Sequence, residues 1–259
     1  MANDSAKISG KTEPGLHIDL TRLPSMFPPV DSMSDDDGSG ALCISRRINT
    51  AMLTDAYCHG IFPWPFEEES VLWCSPAERG ILPMEHFHIP HGVKRMMKQN
   101  RFSFSVNRDF GAVIDACASV PRIGENGESD ATWITNKLRK VYREFHKMGF
   151  AHSFEAYDNE TGELAGGLYG ISLGGVFCGE SMFHRVSGAS QFAFVRAAEL
   201  FRQGGVRLID TQMVTNLTGA FGAFLISRSE YLELLGRYGG RPIDFTALFH
   251  AQNEHNATC

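Results

Sequence analysis

The clearest periodicity in the chain lies between residues 135 and 149, "TNKLRKVYREFHKMG", where Leu138, Val141, Tyr142, Phe145 and Met148 recur at three- and four-residue steps. That spacing gathers them on one face of a helix, with Thr135 placed to cap its start and Gly149 to stop it. "GVKRMMKQNR" repeats the pattern more briefly around Val93, Met96 and Met97. Beyond Gly149 the texture changes to extended runs, "AHSFEAYD", "ELAGGLYGISL" and "GVFCGESMF", separated by "NETG" and Gly174-Gly175 turns, which predicts a three-stranded meander. An apolar helix follows in "ASQFAFVRAAELFRQGG", with Ser190 as its expected cap and Gly204 and Gly205 as its end. It feeds directly into "VRLIDTQM". In an extended chain Asp210 and Gln212 share a face with Leu208, so an aliphatic strand ends on a carboxylate and an amide side by side. With a further short strand near "GAFLI", the pattern predicts an α+β fold around a central sheet.

The flanks differ in kind. "DSMSDDDGSG", Asp31 to Gly40, is acidic and turn-rich and reads as a linker, so structure is expected to begin near Ala41. The final "HAQNEHNATC" is polar and is expected to fray.

A hydrophobic content of 43% over 259 residues suffices for a sizeable core. No apolar run approaches the ~20 residues needed to cross a bilayer, and the N-terminus lacks a leader's apolar stretch, so the expectation is a cytoplasmic protein without a membrane partner. Six scattered cysteines, with no C-x-x-C pair, favour reduced thiols over disulfides or structural zinc. The net charge of -6 hides an asymmetry: Lys94 to Lys147 holds 11 Lys and Arg against 6 Asp and Glu. Most of that excess falls on the two basic helices, through Lys94, Arg95, Lys98, Lys137 and Lys140 among others. They are either solvated faces or a surface for a polyanion.

Several motifs fail on context. "GISLG" matches G-x-S-x-G, but its serine lies at a hairpin rather than at a strand-to-helix turn. "HFHIPH" lacks a carboxylate partner and a zinc spacing, so a surface loop is expected and no metal. No phosphate-binding glycine pattern is present, and ATP is not indicated. "IFPWPF" and "VLWCSP" concentrate aromatics of the kind that more often fill a core than line a ligand pocket.

"AYCHGIFPW", "LWCSP", "TWIT", "AHSFEAYD", "GGLYG", "FCGESMF" and "LIDTQ" occur in one order between about Leu42 and Tyr231. In this the chain resembles the leucyl/phenylalanyl-tRNA-protein transferases. The resemblance implies a small N-terminal domain (41–80) after a polar extension (1–40), then a GNAT-like acyltransferase domain with a central mixed sheet (81–245) and a flexible tail (246–259). It implies transfer of Leu or Phe from aminoacyl-tRNA to the N-terminal Arg or Lys of a protein, marking it for Clp-dependent degradation through the ClpS adaptor. No cofactor is expected, because the ester donor is already activated.

The acceptor α-amine, with a reference pKa near ~8, must lose a proton before it attacks. Asp210 is the expected acceptor of that proton, directly or through water, or else it only holds the ammonium; Gln212 would orient the amine or the tetrahedral centre. Glu180 would bind the cationic N-terminal residue or the amine of the donor. By position in the family motifs, Trp64, Trp133, Leu168, Phe177, Gly179, Met182 and Ile209 line or border the donor pocket, with Trp64 available to stack on the terminal adenosine. A methylene is worth only ~1 to 3 kcal/mol in such a pocket, so relaxed choice among large apolar donors, methionine included, is expected. Lys94, Arg95, Lys98, Lys137 and Lys140 would take tRNA phosphates.

The chain departs from the family pattern at Leu217, where a histidine is usual, at Gln191 for a lysine, at Cys74 for a tryptophan, and at Ala220 and Leu225 for polar residues. Two other readings compete: a non-catalytic RNA- or peptide-binding relative, and a CoA-dependent N-acetyltransferase, whose Q/R-x-x-G-x-G/A pyrophosphate loop is not found. A monomer is expected.

Overall fold

Three consecutive extended runs joined by glycine turns give the molecule its centre. The structure is a computed structural model and describes residues 18–30, 40–67, 70–119, 122–123, 129–130, 133–245 and 248–249. Among these the order is β1 (Ala41–Ser45), α1 (Thr50–Cys58), β2 (Phe62–Phe66), β3 (Ser70–Cys74), β4 (Glu78–Pro83), α2 (His91–Met97), β5 (Phe102–Val106), α3 (Phe110–Ser119), β6 (Arg122–Ile123), β7 (Ser129–Asp130), α4 (Asn136–Lys147), β8 (Ala151–Asp158), β9 (Leu164–Leu173), β10 (Val176–His184), α5 (Ala189–Gly204), β11 (Leu208–Gln212), α6 (Asn216–Ala220), β12 (Phe224–Ser227) and α7 (Arg228–Tyr238). The fold is α+β, with a small sheet ordered β1-β3-β2 and a mixed seven-stranded sheet ordered β12-β4-β11-β10-β9-β8-β5.

β8, β9 and β10 form the expected meander, and every residue of β8 and β9 is buried. Both faces of these strands are covered, which is why their sequences lack a polar alternation. One face carries α5, α2 and Phe245 and Phe249; the other carries α3, α4 and the small sheet with α1. Leu53, Tyr57 and Trp73 join Leu138, Tyr142 and Tyr169 in one apolar cluster, so the small sheet shares the core of the large one. The extension expected over residues 1–40 is not uniformly free: Phe27 is buried and packs on Trp73 at 4.8 Å, and Asp19 lies against Gly236 of α7. Residues 1–17 and 31–39 lie outside the described residues. Of the expected tail, Phe249 is buried against His152 and Phe154, a core contact that its polar surroundings in sequence concealed.

Thr135 caps α4 by accepting from the Leu138 N–H at 3.3 Å, and Gly149 follows it in the left-handed region (φ 83°). α5 differs from expectation at its start. Its cap is Gly188 (φ 86°), and Ser190 sits buried inside the first turn, because Val186 to Gly188 must turn sharply between β10 and the helix. The serine of "GISLG" lies in β9; its hydroxyl donates to the Phe150 carbonyl and accepts from His152 Nε2 at 3.1 Å. Asn107 accepts from the Ser153 N–H and donates to His152 Nδ1, so the imidazole holds its proton on Nε2 and cannot deprotonate the serine. Burial, with the nearby His146, pulls the His152 pKa down to about 4.

Glu155 of β8 is wholly buried. Its Oε1 accepts from Ser153 Oγ (2.7 Å) and the Asp109 N–H (3.3 Å), while Oε2 has no partner among the described residues. Burial pushes its pKa up to about 7 from 4.5. The folded state therefore holds a proton that the unfolded chain releases near pH 4.5, and this contribution is present at low pH and lost as pH rises through about 7. Glu155→Gln, which keeps the shape without the charge, should gain stability relative to wild type by on the order of 3 kcal/mol between pH 5 and pH 8. Urea unfolding across that range measures it, and the opposing titration of His152 cancels in the difference. A pH-independent difference contradicts the assignment.

Candidate active site

β10 and β11 are the parallel pair of the sheet, and their pairing ends at Cys178 opposite Asp210. Beyond that point each strand carries an irregularity: β10 shifts register against β9 between Gly179 and Ser181, and β11 against β4 between Asp210 and Gln212. Gln212 takes a left-handed φ of 57°, a conformation that costs a non-glycine residue about 1 kcal/mol or more and recurs at functional sites. At Gly179 an added Cβ would meet only the Asp210 carbonyl, at 3.7 Å. The two strands have parted there, leaving a backbone that a ligand can approach closely.

Asp210 is fully buried and fully engaged. Arg79 of β4 grips it with two bonds, Nε to Oδ1 at 2.9 Å and Nη2 to Oδ2 at 2.6 Å; Tyr231 Oη donates to Oδ2 at 2.8 Å and the Gln212 N–H to Oδ1 at 2.9 Å. The guanidinium lies between the Phe62 and Tyr231 rings, 4.6 Å from each centroid, and Nη1 donates to the Gly60 carbonyl. Burial alone would favour the neutral form of Arg79, but Asp210 and Tyr231 outweigh it and hold the arginine charged. Cys178 lies beneath this pair, and burial with the nearby Asp210 and Glu180 keeps its thiol protonated.

Glu180 forms the other half of the site. Its Oε2 accepts from Tyr142 Oη at 2.9 Å, Tyr142 is linked to Tyr57 Oη at 2.7 Å, and its Oε1 accepts from Gln212 Nε2 at 3.0 Å across the parted strands. Burial pushes the Glu180 pKa up to about 7, with Asp210 adding to the rise and the tyrosine and glutamine hydrogen bonds opposing it. Gln212 is thus pinned twice, through its backbone to Asp210 and through its side-chain NH2 to Glu180. Its side-chain carbonyl is left as the group able to accept a hydrogen bond from a molecule entering the site.

The residues expected around the donor divide between two faces. Trp64 and Trp133 stack at 5.6 Å with an 8° tilt on the face that holds Glu180, so one side of each indole is taken by the other. Leu168, Phe177 and Ile209 are buried on the opposite face beneath α5, with Met182 and Leu217 packed partly buried against them. The basic helices divide likewise: α2, with exposed Lys94, Arg95 and Lys98, packs on α5, whereas α4, with Lys137 and Lys140, packs on α3 and α1. Lys137 and Lys140 line a groove of about 400 Å³ with Arg46, Arg47 and Asn49.

Arg79, Tyr231, Tyr142 and Tyr57 are absent from the expectations. A lone arginine inside the apolar "ERGILP" was the available signal for a buried partner to Asp210, 131 residues away.

Removing one member of a buried ion pair leaves the other uncompensated, typically at ~3 to 5 kcal/mol. Arg79→Met and Asp210→Asn should each lose stability on that scale, and the double variant should lose clearly less than the two losses added. Denaturant unfolding of the cycle tests this, and additive losses would show that the pair is not coupled.

Among solved structures, FemX aligns with a TM-score of 0.44 at 10% identity, over 62% of this chain and 64% of that one. The family described as leucyl/phenylalanyl-tRNA protein transferase matches residues 81–236, and its N-terminal domain matches residues 46–77. A leucyl/phenylalanyl-tRNA-protein transferase of Pseudomonas entomophila (strain L48) is 41% identical over 86% of this chain and 95% of its own length. Its counterpart in Lawsonia intracellularis is 42% identical over 83% of this chain and 91% of that protein. This chain therefore belongs to the leucyl/phenylalanyl-tRNA-protein transferase family.

Proposed function

We propose that this protein moves leucine or phenylalanine, with methionine tolerated, from aminoacyl-tRNA to the N-terminal amine of proteins that begin with Arg or Lys, and that the product is a degradation signal for a Clp protease. Family membership supports aminoacyl transfer from tRNA to a protein. The observation that carries the chemistry is the pinned Gln212 amide beside a glutamate whose pKa stands near 7.

The acceptor arrives as an ammonium and gives up one proton. Its nitrogen then attacks the ester carbonyl carbon, the bond from that carbon to the ribose oxygen breaks, and the ribose oxygen leaves with a proton. One amide forms, one hydroxyl is freed and one proton is released overall. In this reading the Gln212 carbonyl accepts a hydrogen bond from the attacking amine and aims it. Glu180, half ionised near neutral pH, receives the proton, directly or through a water that passes Gln212. Asp210 then acts as a positioning residue, because Arg79, Tyr231 and the Gln212 N–H occupy its carboxylate. The ester supplies the driving force, so the reaction requires neither ATP nor a metal.

Leu168, Phe177, Met182 and Ile209 receive the donor side chain on the α5 face, and Met182 adapts to either donor. Gly179 admits the donor backbone at the gap. The terminal adenosine stacks on Trp64, and Lys137, Lys140, Arg46 and Arg47 meet the neighbouring phosphates, since α4 begins three residues after Trp133, which stacks on Trp64. Lys94, Arg95 and Lys98, on the other face, are left for a more distant stretch of tRNA. The enzyme works as a cytoplasmic monomer; among the described residues no helix is long and apolar enough to cross a membrane.

Labelled Phe-tRNA or Leu-tRNA and a peptide beginning with Arg test the reading when incorporation is followed across pH 5.5 to 9. The wild-type kcat/KM should rise through two ionisations, one near 7 from Glu180 and one near ~8 from the amine. Glu180→Gln should lose the lower one and react at least ~10²-fold more slowly. Survival of the lower ionisation removes Glu180 from the proton path. Failure of the wild type to incorporate at any pH, with Phe-tRNA still bound, would make the chain a non-catalytic relative.

A further inference from the structure

The exposed apolar side chains nearest the reacting end of β11 belong to residues immediately after Gln212. Met213 is 55% exposed and Val214 37%, and Leu225, on β12, is 49% exposed. Gly80 brings Met213 and Leu225 together, and Val214 follows Met213 in the chain. Gly80 of β4 pairs with Gln212 on one side and with Leu225 on the other, so the three positions form one row across three strands. A Cβ at Gly80 would lie 2.6 Å from the Met213 carbonyl carbon, so the Met213 backbone rests directly on the glycine, and its exposed side chain is turned to solvent. Leu217 of α6 continues the patch inward, packing on the cluster that contains Phe177 and Ile209.

We infer that the exposed patch of Met213, Val214 and Leu225 beside this row is an acceptor subsite that selects proteins whose second and third residues are large and apolar. The inference rests on the aminoacyl-transfer reading and adds a specificity to it. An acceptor amine hydrogen-bonded to the Gln212 carbonyl fixes where the next residues go. Glu180 and Tyr142 close the inner side of Gln212, and the packed cluster around Phe177 and Ile209 closes the α5 side, so the acceptor chain leaves over Met213. An extended chain advances ~3.3 Å per residue, and Leu225 lies two strand spacings, ~10 Å, from Gln212, which is the reach of residues two to four. Covering three exposed apolar side chains with apolar partners removes them from water, whereas polar partners at the same positions gain little there. Gln212 thereby aims the amine and also begins the surface that reads the acceptor's second and third side chains.

Two peptides of equal length and charge test the inference, one beginning Arg-Leu-Phe and the other Arg-Ser-Asn, each assayed with wild type, Leu225→Ser and Met213→Ser. Both substitutions are at exposed positions, and circular dichroism verifies folding. Wild type should prefer the Leu-Phe peptide by ~10-fold or more in kcat/KM, and either variant should bring the ratio toward one. Transfer to both peptides with a ratio near one in wild type, or a preference that survives both substitutions, overturns the subsite while leaving the transferase reading intact. Transfer to neither overturns the transferase reading and the subsite with it. A wild-type dimer that Leu225→Ser dissolves, seen by sedimentation, assigns the patch to a second copy of the chain and also overturns the proposal.

Discussion

The Arg79-Asp210 pair is the interaction on which the rest of the site depends. A charged guanidinium and a carboxylate are both removed from water, at a desolvation cost that only good geometry offsets. Here two parallel hydrogen bonds, two flanking aromatic rings, a tyrosine hydroxyl and two backbone groups complete the partners of both charges. The pair joins four segments: Gly60 and Phe62 of the N-terminal part, β4, β11 and α7. Such an arrangement fixes the end of β11 in space. That fixed end is what permits Gln212 to hold a left-handed conformation which the chain alone would resist.

The parting of β10 from β11 arises from the same constraint. With Asp210 drawn toward Arg79 and Gln212 raised on a bulge, the ladder cannot continue past Cys178, and the side chain of Gln212 spans the opening to Glu180 instead of a backbone bond doing so. A gap in the middle of a sheet joins its two faces. On the proposed reading, the donor's apolar side chain would go toward Leu168, Phe177 and Ile209 and its adenosine toward Trp64, with the reactive carbon at the gap. The same burial that shapes the gap raises the affinity of Glu180 for a proton into the neutral range, so one structural cause sets both geometry and protonation.

Much of the scaffold was legible in the sequence. Amphipathic spacing revealed α4, glycine turns revealed the meander, and a polar pair at the end of an aliphatic run marked β11. The family motifs named Glu180, Asp210 and Gln212 together, and the structure places them within one hydrogen-bonded network. What periodicity could not supply was pairing across long separations. Asp210 looked like a group awaiting a proton because the acceptor amine that the resemblance implies must give one up, yet its carboxylate is held by Arg79, 131 residues away in sequence. Tyr57 and Tyr142 looked like ordinary core residues on α1 and α4, and only the packing of those helices turns their hydroxyls toward Glu180. The face on which each basic helix lies was likewise set by topology, because α2 and α4 have similar sequences but pack on opposite sides of the sheet. Phe249 escaped notice for a related reason: one aromatic in a polar tail gives no period.

On the proposed reading Asp210, held by Arg79 and Tyr231, positions Gln212, and Glu180 takes the proton. The pH dependence of transfer by Asp210→Asn, measured on protein verified as folded, tests it most directly. The expected result is slower transfer that still shows the lower ionisation, moved to lower pH because the Asp210 charge no longer raises the Glu180 pKa. Disappearance of that ionisation in Asp210→Asn would contradict the account and return Asp210 to the role of base.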